Sequence, residues 1–127
     1  VIVELRNTDE TRLAQAQGLL DKKVSELAKA EKVKIQKREL VRFPPVQFEP
    51  KLVDQIKNSA QQLGFSVKQM PSGAGHDAQM MAAVCPTAMI FVPSAGGISH
   101  NTKEFTKLED IERGCQVLLN VVLQLVS

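Results

Sequence analysis

The chain has only two histidines, His76 and His100, and each sits in a loop of small residues. The first loop reads Pro71-Ser-Gly-Ala-Gly-His-Asp-Ala78 and the second Pro93-Ser-Ala-Gly-Gly-Ile-Ser-His-Asn101. Small residues let backbone come close to a ligand. A neutral imidazole on such a loop can bind a divalent metal through one nitrogen. One histidine does not make a metal site, because zinc sites use three or four protein ligands. Read alone, His100 is a loop histidine without a duty. The glycine-rich loop before His76 should open a helix and present free N–H groups, which suits an anion or a developing oxyanion. Asp77 reads as a first-turn helix residue. Ser72 lacks the G-x-S-x-G setting of a nucleophilic serine. Arg6 stands beside Glu4 on the polar side of a strand, and read alone it is an ordinary surface arginine.

The elements that must position these groups follow from periodicity. Val1, Val3 and Leu5 alternate with Ile2, Glu4 and Arg6, as in a half-buried strand over 1–6. Asn7 or Thr8 can cap a helix whose stripe is Leu13, Ala16, Leu20, Val24, Leu27 and Ala30, running to about Glu31. Val33, Ile35, Val41 and Phe43 mark a second strand face, and the basic residues between Lys32 and Arg42 its solvated side. Pro44-Pro45 stops that strand and is the domain boundary. Pro50 suits a helix start and Gly64 its end, with Leu52, Ile56, Ala60 and Leu63 on one face. Residues 65–70 form a short strand into the first loop. A helix follows over 77–84, ending before Pro86. The apolar run 87–92 has the length of a strand buried on both faces of a parallel sheet. From Leu108 the residues Ile111, Cys115, Leu118, Val122 and Leu125 step as one helical face, expected to lie against that strand. Cys85 and Cys115 both read as core.

Composition narrows the function classes. Net charge is +2, and the aromatics are five Phe with no Tyr or Trp. That argues against nucleic acid, which calls for clustered basic residues and stacking rings. No stretch approaches the roughly 20 apolar residues of a membrane span. Two distant cysteines make no disulfide framework and point to a reducing, cytoplasmic compartment. The chain opens on Val1 inside a strand pattern, so a part of a larger chain is expected.

Ser72-Gly-Ala-Gly-His-Asp-Ala78 and Gly97-Ile-Ser-His-Asn101, in this order and spacing, resemble two signatures of the amidase/hydantoinase/carbamoylase family of the dimetal aminopeptidase-like superfamily. The resemblance covers nearly the whole chain, and about the C-terminal third of a family member. It implies an α/β chain with two parts. Residues 1–45 would belong to a ferredoxin-like lid or dimerisation domain, and 46–127 to the C-terminal part of an aminopeptidase-like catalytic domain. It implies a metal-dependent amidohydrolase acting on N-carbamoyl-L-amino acids or related ureido acids such as allantoate. The complete enzyme would hold two divalent ions, zinc or manganese, and form a homodimer. His100 would be a metal ligand, Gly75 and His76 would lie at the substrate, and Arg6 would bind the substrate carboxylate. Arg6 stands in Val3-Glu4-Leu5-Arg6, where the family pattern has Asp in place of Glu4. The general base and remaining metal ligands would lie upstream, so this stretch alone should be inactive. A noncatalytic assembly module, and an aminoacylase or peptidase of the same superfamily, are the alternatives.

Overall fold

The computed structural model describes residues 1–127. Its elements are four α-helices, α1 (Glu10–Ala30), α2 (Pro50–Gln62), α3 (Asp77–Met81) and α4 (Leu108–Val126), with a single 3-10 turn at Ala95–Gly97. The chain divides into two compact units, one of Val1–Gln47 with Pro71–Gly75, the other of Phe48–Met70 with His76–Ser127.

In the first unit, α1 begins at Asp9, whose Oδ1 accepts from the N–H of Thr11 at 2.8 Å and of Arg12 at 3.1 Å. The cap is therefore Asp9, not Asn7 or Thr8. Asn7 instead accepts from the Asp9 N–H at 2.9 Å and braces the cap from outside. The expected stripe of α1 is half-buried at Leu13, Ala16, Leu20 and Val24, and no residue of the helix is fully buried. What holds the 33–43 segment to α1 is polar. Lys37 Nζ meets Asp21 Oδ1 at 2.5 Å, and Arg42 binds Gln17 at 2.9 Å and also Glu10. Two of the basic residues expected to face solvent are thus paired, while Val33, Ile35, Val41 and Phe43 are exposed. Half-exposed ion pairs of this kind contribute only about 0–1 kcal/mol each.

The second unit has a small core. Ala60, Val117 and Val121 are buried, and Ile56, Phe65 and Ile90 pack on them. Each buried valine contributes about 1.5–3 kcal/mol. α2 starts as the sequence indicates, with Pro50 in its first turn and Glu49 accepting from the Lys51 N–H. It packs on α4, where Gln55 also bonds Gln124 at 3.1 Å. α4 in turn lies on the 87–92 segment, but not by the expected face: Ile111, Cys115, Leu118, Val122 and Leu125 are exposed, and Val117 and Val121 are the residues it buries. A Cβ on Gly114 would stand 2.6 Å from Val92 Cγ1, so only glycine allows this approach. Ser59 is fully buried and its hydroxyl has no partner.

α1 and α2 end in the same way. Phe65 N–H donates to Ala60 O and Gly64 N–H to Gln61 O, the paired bonds of a Schellman stop with Gly64 at φ 78°. Val33 N–H donates to Ala28 O and Lys32 N–H to Lys29 O, the same motif with Lys32 at φ 51°.

Four further expectations need correction. No residue is in a strand, although 1–6, 33–43, 65–70 and 87–92 all carry strand patterns. A strand exists through a ladder of bonds to a neighbour, and these segments make no ladder with one another; Glu49 N–H to Thr87 O at 3.0 Å is an isolated bond. The architecture of this chain is accordingly helical, and the α/β expectation is not met within it. The 87–92 run is half-buried at Thr87 to Ile90, but Phe91 and Val92 are exposed, so it is not buried on both faces. Cys85 and Cys115 are free thiols at the surface, not core, since neither faces the small cluster around Val117. α3 ends at Met81 rather than Val84; Ala83 and Val84 bond back only three residues, as a tightened turn before Pro86.

Candidate functional site

Arg6 is the best-anchored of the predicted site residues. Its Nε donates to Glu4 Oε1 at 2.8 Å, and its Nη2 lies 2.7 Å from the same oxygen. Its Nη1 donates to the carbonyl of Gly73, 67 positions along the chain, at 2.6 Å. These three residues belong to the first unit, so the 71–75 stretch is grouped there with the 1–6 segment. Within that stretch Ser72 Oγ closes a local turn, accepting from the Ala74 N–H at 3.2 Å. The same hydroxyl lies 3.3 Å from Ala74 O, so Ser72 supports the loop. Gly75 follows, exposed.

His76 opens the second-unit part of the same loop and is the N-cap residue of α3. Its N–H donates to Gln79 Oε1 at 3.3 Å, and its carbonyl accepts from the Gln79 N–H at 2.9 Å. One N–H at this helix start is therefore engaged, and a helix of five residues has little dipole to offer. The imidazole lies against Phe91, ring centres 5.8 Å apart and planes at 60°. Asp77 is the first residue of α3, the place a carboxylate suits without any catalytic duty.

His100 sits in a loop closed at its base by Ala95 N–H to Phe105 O at 2.8 Å. Its backbone is left-handed, φ 55°, which is uncommon for a residue with a Cβ. Three hydrogen bonds surround that conformation. His100 N–H donates to Glu104 Oε2 at 2.8 Å, and Asn101 accepts from the N–H groups of Lys103 and Glu104. The side chain of His100 is left exposed. Strained backbone of this sort concentrates at functional sites.

No three His, Cys, Asp or Glu side chains gather closely enough to hold a metal ion. The residues present thus offer one imidazole and do not complete a metal site. Sequence reasoning missed Glu104 and Asn101 as supports of His100, Phe91 as the wall behind His76, and the grip of Glu4 and Gly73 on Arg6. The Glu4-x-Arg6 spacing hinted at the last, since alternate residues of an extended segment share a side. Nothing in the spacing of the others distinguished them from ordinary surface residues.

A chain with two glycine-rich loops, a lone strained histidine and no metal cluster of its own is matched over residues 3–124 by the model of Peptidase family M20/M25/M40. The chain belongs to that family. Among curated relatives, it is 35% identical over 122 residues to an N-carbamoyl-L-amino-acid amidohydrolase of Rhizobium meliloti, covering 96% of this chain and 29% of that enzyme. It is 41% identical over 87 residues to an allantoate amidohydrolase of Bacillus subtilis, covering 68% of this chain and 21% of that one. A crystal structure of an amidase of the hydantoinase/carbamoylase family from Burkholderia vietnamiensis superposes with a TM-score of 0.85 at 34% identity, over 93% of this chain and 29% of that one. The chain thus spans less than a third of the length of these proteins. No helix is long and apolar enough to cross a membrane.

Proposed function

We propose that the chain is the C-terminal part of an amidohydrolase that cleaves the carbamoyl or ureido C–N bond of a small N-carbamoyl-L-amino acid or related ureido acid. The observation that carries this reading is the likeness, along almost the whole chain, to enzymes named for carbamoyl amino acids. In the complete enzyme, residues 1–45 would form part of a ferredoxin-like lid that dimerises, and 46–127 part of an α/β catalytic domain. The missing ladders are consistent with segments whose sheet partners come from the rest of that enzyme. Arg6 would take the substrate carboxylate, because a planar guanidinium matches two carboxylate oxygens. Gly75 and His76 would address the scissile group. His100 would supply one ligand to a pair of divalent ions, zinc or manganese, whose other ligands lie elsewhere in the enzyme. The two free cysteines support a reducing, cytoplasmic setting.

The test is His100→Ala in the complete enzyme. Loss of a ligand should lower the metal content on elemental analysis and cut turnover of N-carbamoyl-L-amino acids by about 100-fold or more, at least the cost of disturbing a ligand's support. Unchanged metal content with normal turnover would remove His100 from the site. A panel of carbamoyl, acyl and peptidyl amino acids tests the substrate class, and preference for acyl or peptidyl substrates would overturn it.

A further inference from the structure

We propose that Glu4 is a positioning residue that sets the plane of the Arg6 guanidinium, so that its remaining donors are presented to a substrate carboxylate. The proposal rests on the reading of Arg6 as the carboxylate ligand. A guanidinium has five N–H donors. Glu4 Oε1 takes the Nε–H and one from Nη2, at 2.8 and 2.7 Å. Gly73 O takes one from Nη1 at 2.6 Å. One N–H then remains on each terminal nitrogen, and a carboxylate has two oxygens to accept them. Without Glu4, rotation about the long side chain would be opposed by the single bond to Gly73, and the fork would lose its fixed plane. The value of Arg over Lys lies in that pre-organised plane.

Glu4 also carries a negative charge, which opposes the binding of a second carboxylate. Side-chain exposure decides which effect prevails. Arg6 is 57% and Glu4 64% exposed, so water screens the repulsion, whereas the hydrogen bonds act at contact. Positioning is therefore expected to win.

The experiment uses the complete enzyme, with an N-carbamoyl-L-amino acid and its carboxamide as paired substrates. Glu4→Ala should raise KM for the acid by about two- to fivefold, the scale of a solvent-exposed ion pair. kcat, and KM for the amide, should stay near those of the parent, and Glu4→Gln, which keeps an oxygen acceptor, should recover most of the loss. The acid-to-amide ratio is read within each variant, so a change in folded fraction cancels. An equal loss on both substrates would show that Glu4 merely braces the fold, and a lower KM for the acid would show that its charge dominates; either overturns the proposal. Arg6→Ala separates the proposal from the reading beneath it. A collapsed acid-to-amide ratio in Arg6→Ala with an intact ratio in Glu4→Ala sinks the positioning role alone. An unchanged ratio in Arg6→Ala sinks the carboxylate reading and this proposal with it.

Discussion

Gly18 in α1 and Gly114 in α4 are indistinguishable as mid-helix glycines in a sequence, yet the two units use them in opposite ways. A Cβ at Gly18 would meet nothing within 4 Å, whereas one at Gly114 would collide with Val92 Cγ1 at 2.6 Å. The first glycine only weakens its helix. The second is what lets α4 settle on the 87–92 segment. The contrast extends to the elements around them. α1 buries no residue completely and is joined to its neighbours by Lys37–Asp21, Arg42–Glu10 and Arg42–Gln17. α4 buries Val117 and Val121 against Ala60. One unit holds Arg6 by polar contacts at the surface, and the other hangs its His100 loop from a packed helix. Charged side chains fix direction with little net energy, while packed methyl groups fix position with more of it.

The largest expected effect is at the packed glycine. Gly114→Ala should destabilise the protein by about 1–3 kcal/mol, the usual cost of forcing a methyl group into filled space. The Val92 methyl it strikes belongs to a short branched side chain that cannot swing clear. In a Val92→Ala background the collision is gone, and Gly114→Ala should then stabilise by up to about 1 kcal/mol through helix propensity. Thermal unfolding of the four species measures the coupling, and simple additivity would break the contrast between the units.

A smaller effect is expected at the helix stops. α1 and α2 close with the same pair of bonds, but α1 places Lys32 at φ 51° where α2 has Gly64 at φ 78°. Lys32→Gly removes the strain of a Cβ in the left-handed region and should stabilise by about 1 kcal/mol, less the added freedom of the unfolded chain. A lower unfolding midpoint would mean that the Lys32 side chain supports the stop.

The smallest effect is at the open glycine. Gly18→Ala should raise stability by about 0.5–1 kcal/mol, since nothing stands where the methyl would go. Loss of stability there would show that α1 is covered on that side, and would sharpen the comparison by giving the first unit a packed face as well.

The sequence alone determined what depends on neighbours along the chain. The half-buried stripe of α1, Pro50 at a helix start and Gly64 at a helix end follow from spacing and local backbone preference, whereas the α4 face marked by Ile111, Cys115, Leu118, Val122 and Leu125 is exposed and Val117 and Val121 are buried instead. The two loops and their histidines were legible too, because composition marks such loops. Tertiary structure decided everything that depends on a partner distant in sequence. It left the strand patterns without ladders, since alternation creates a face but cannot supply the strand that pairs with it. It put both cysteines at the surface, since a helical stripe says which residues share a side and not whether that side is covered. It gave His100 a left-handed backbone held by Glu104, and it joined Arg6 to Gly73 across 67 positions. It also separated Gly18 from Gly114, because the space around a missing methyl group is set by other elements and is written nowhere in the residue itself.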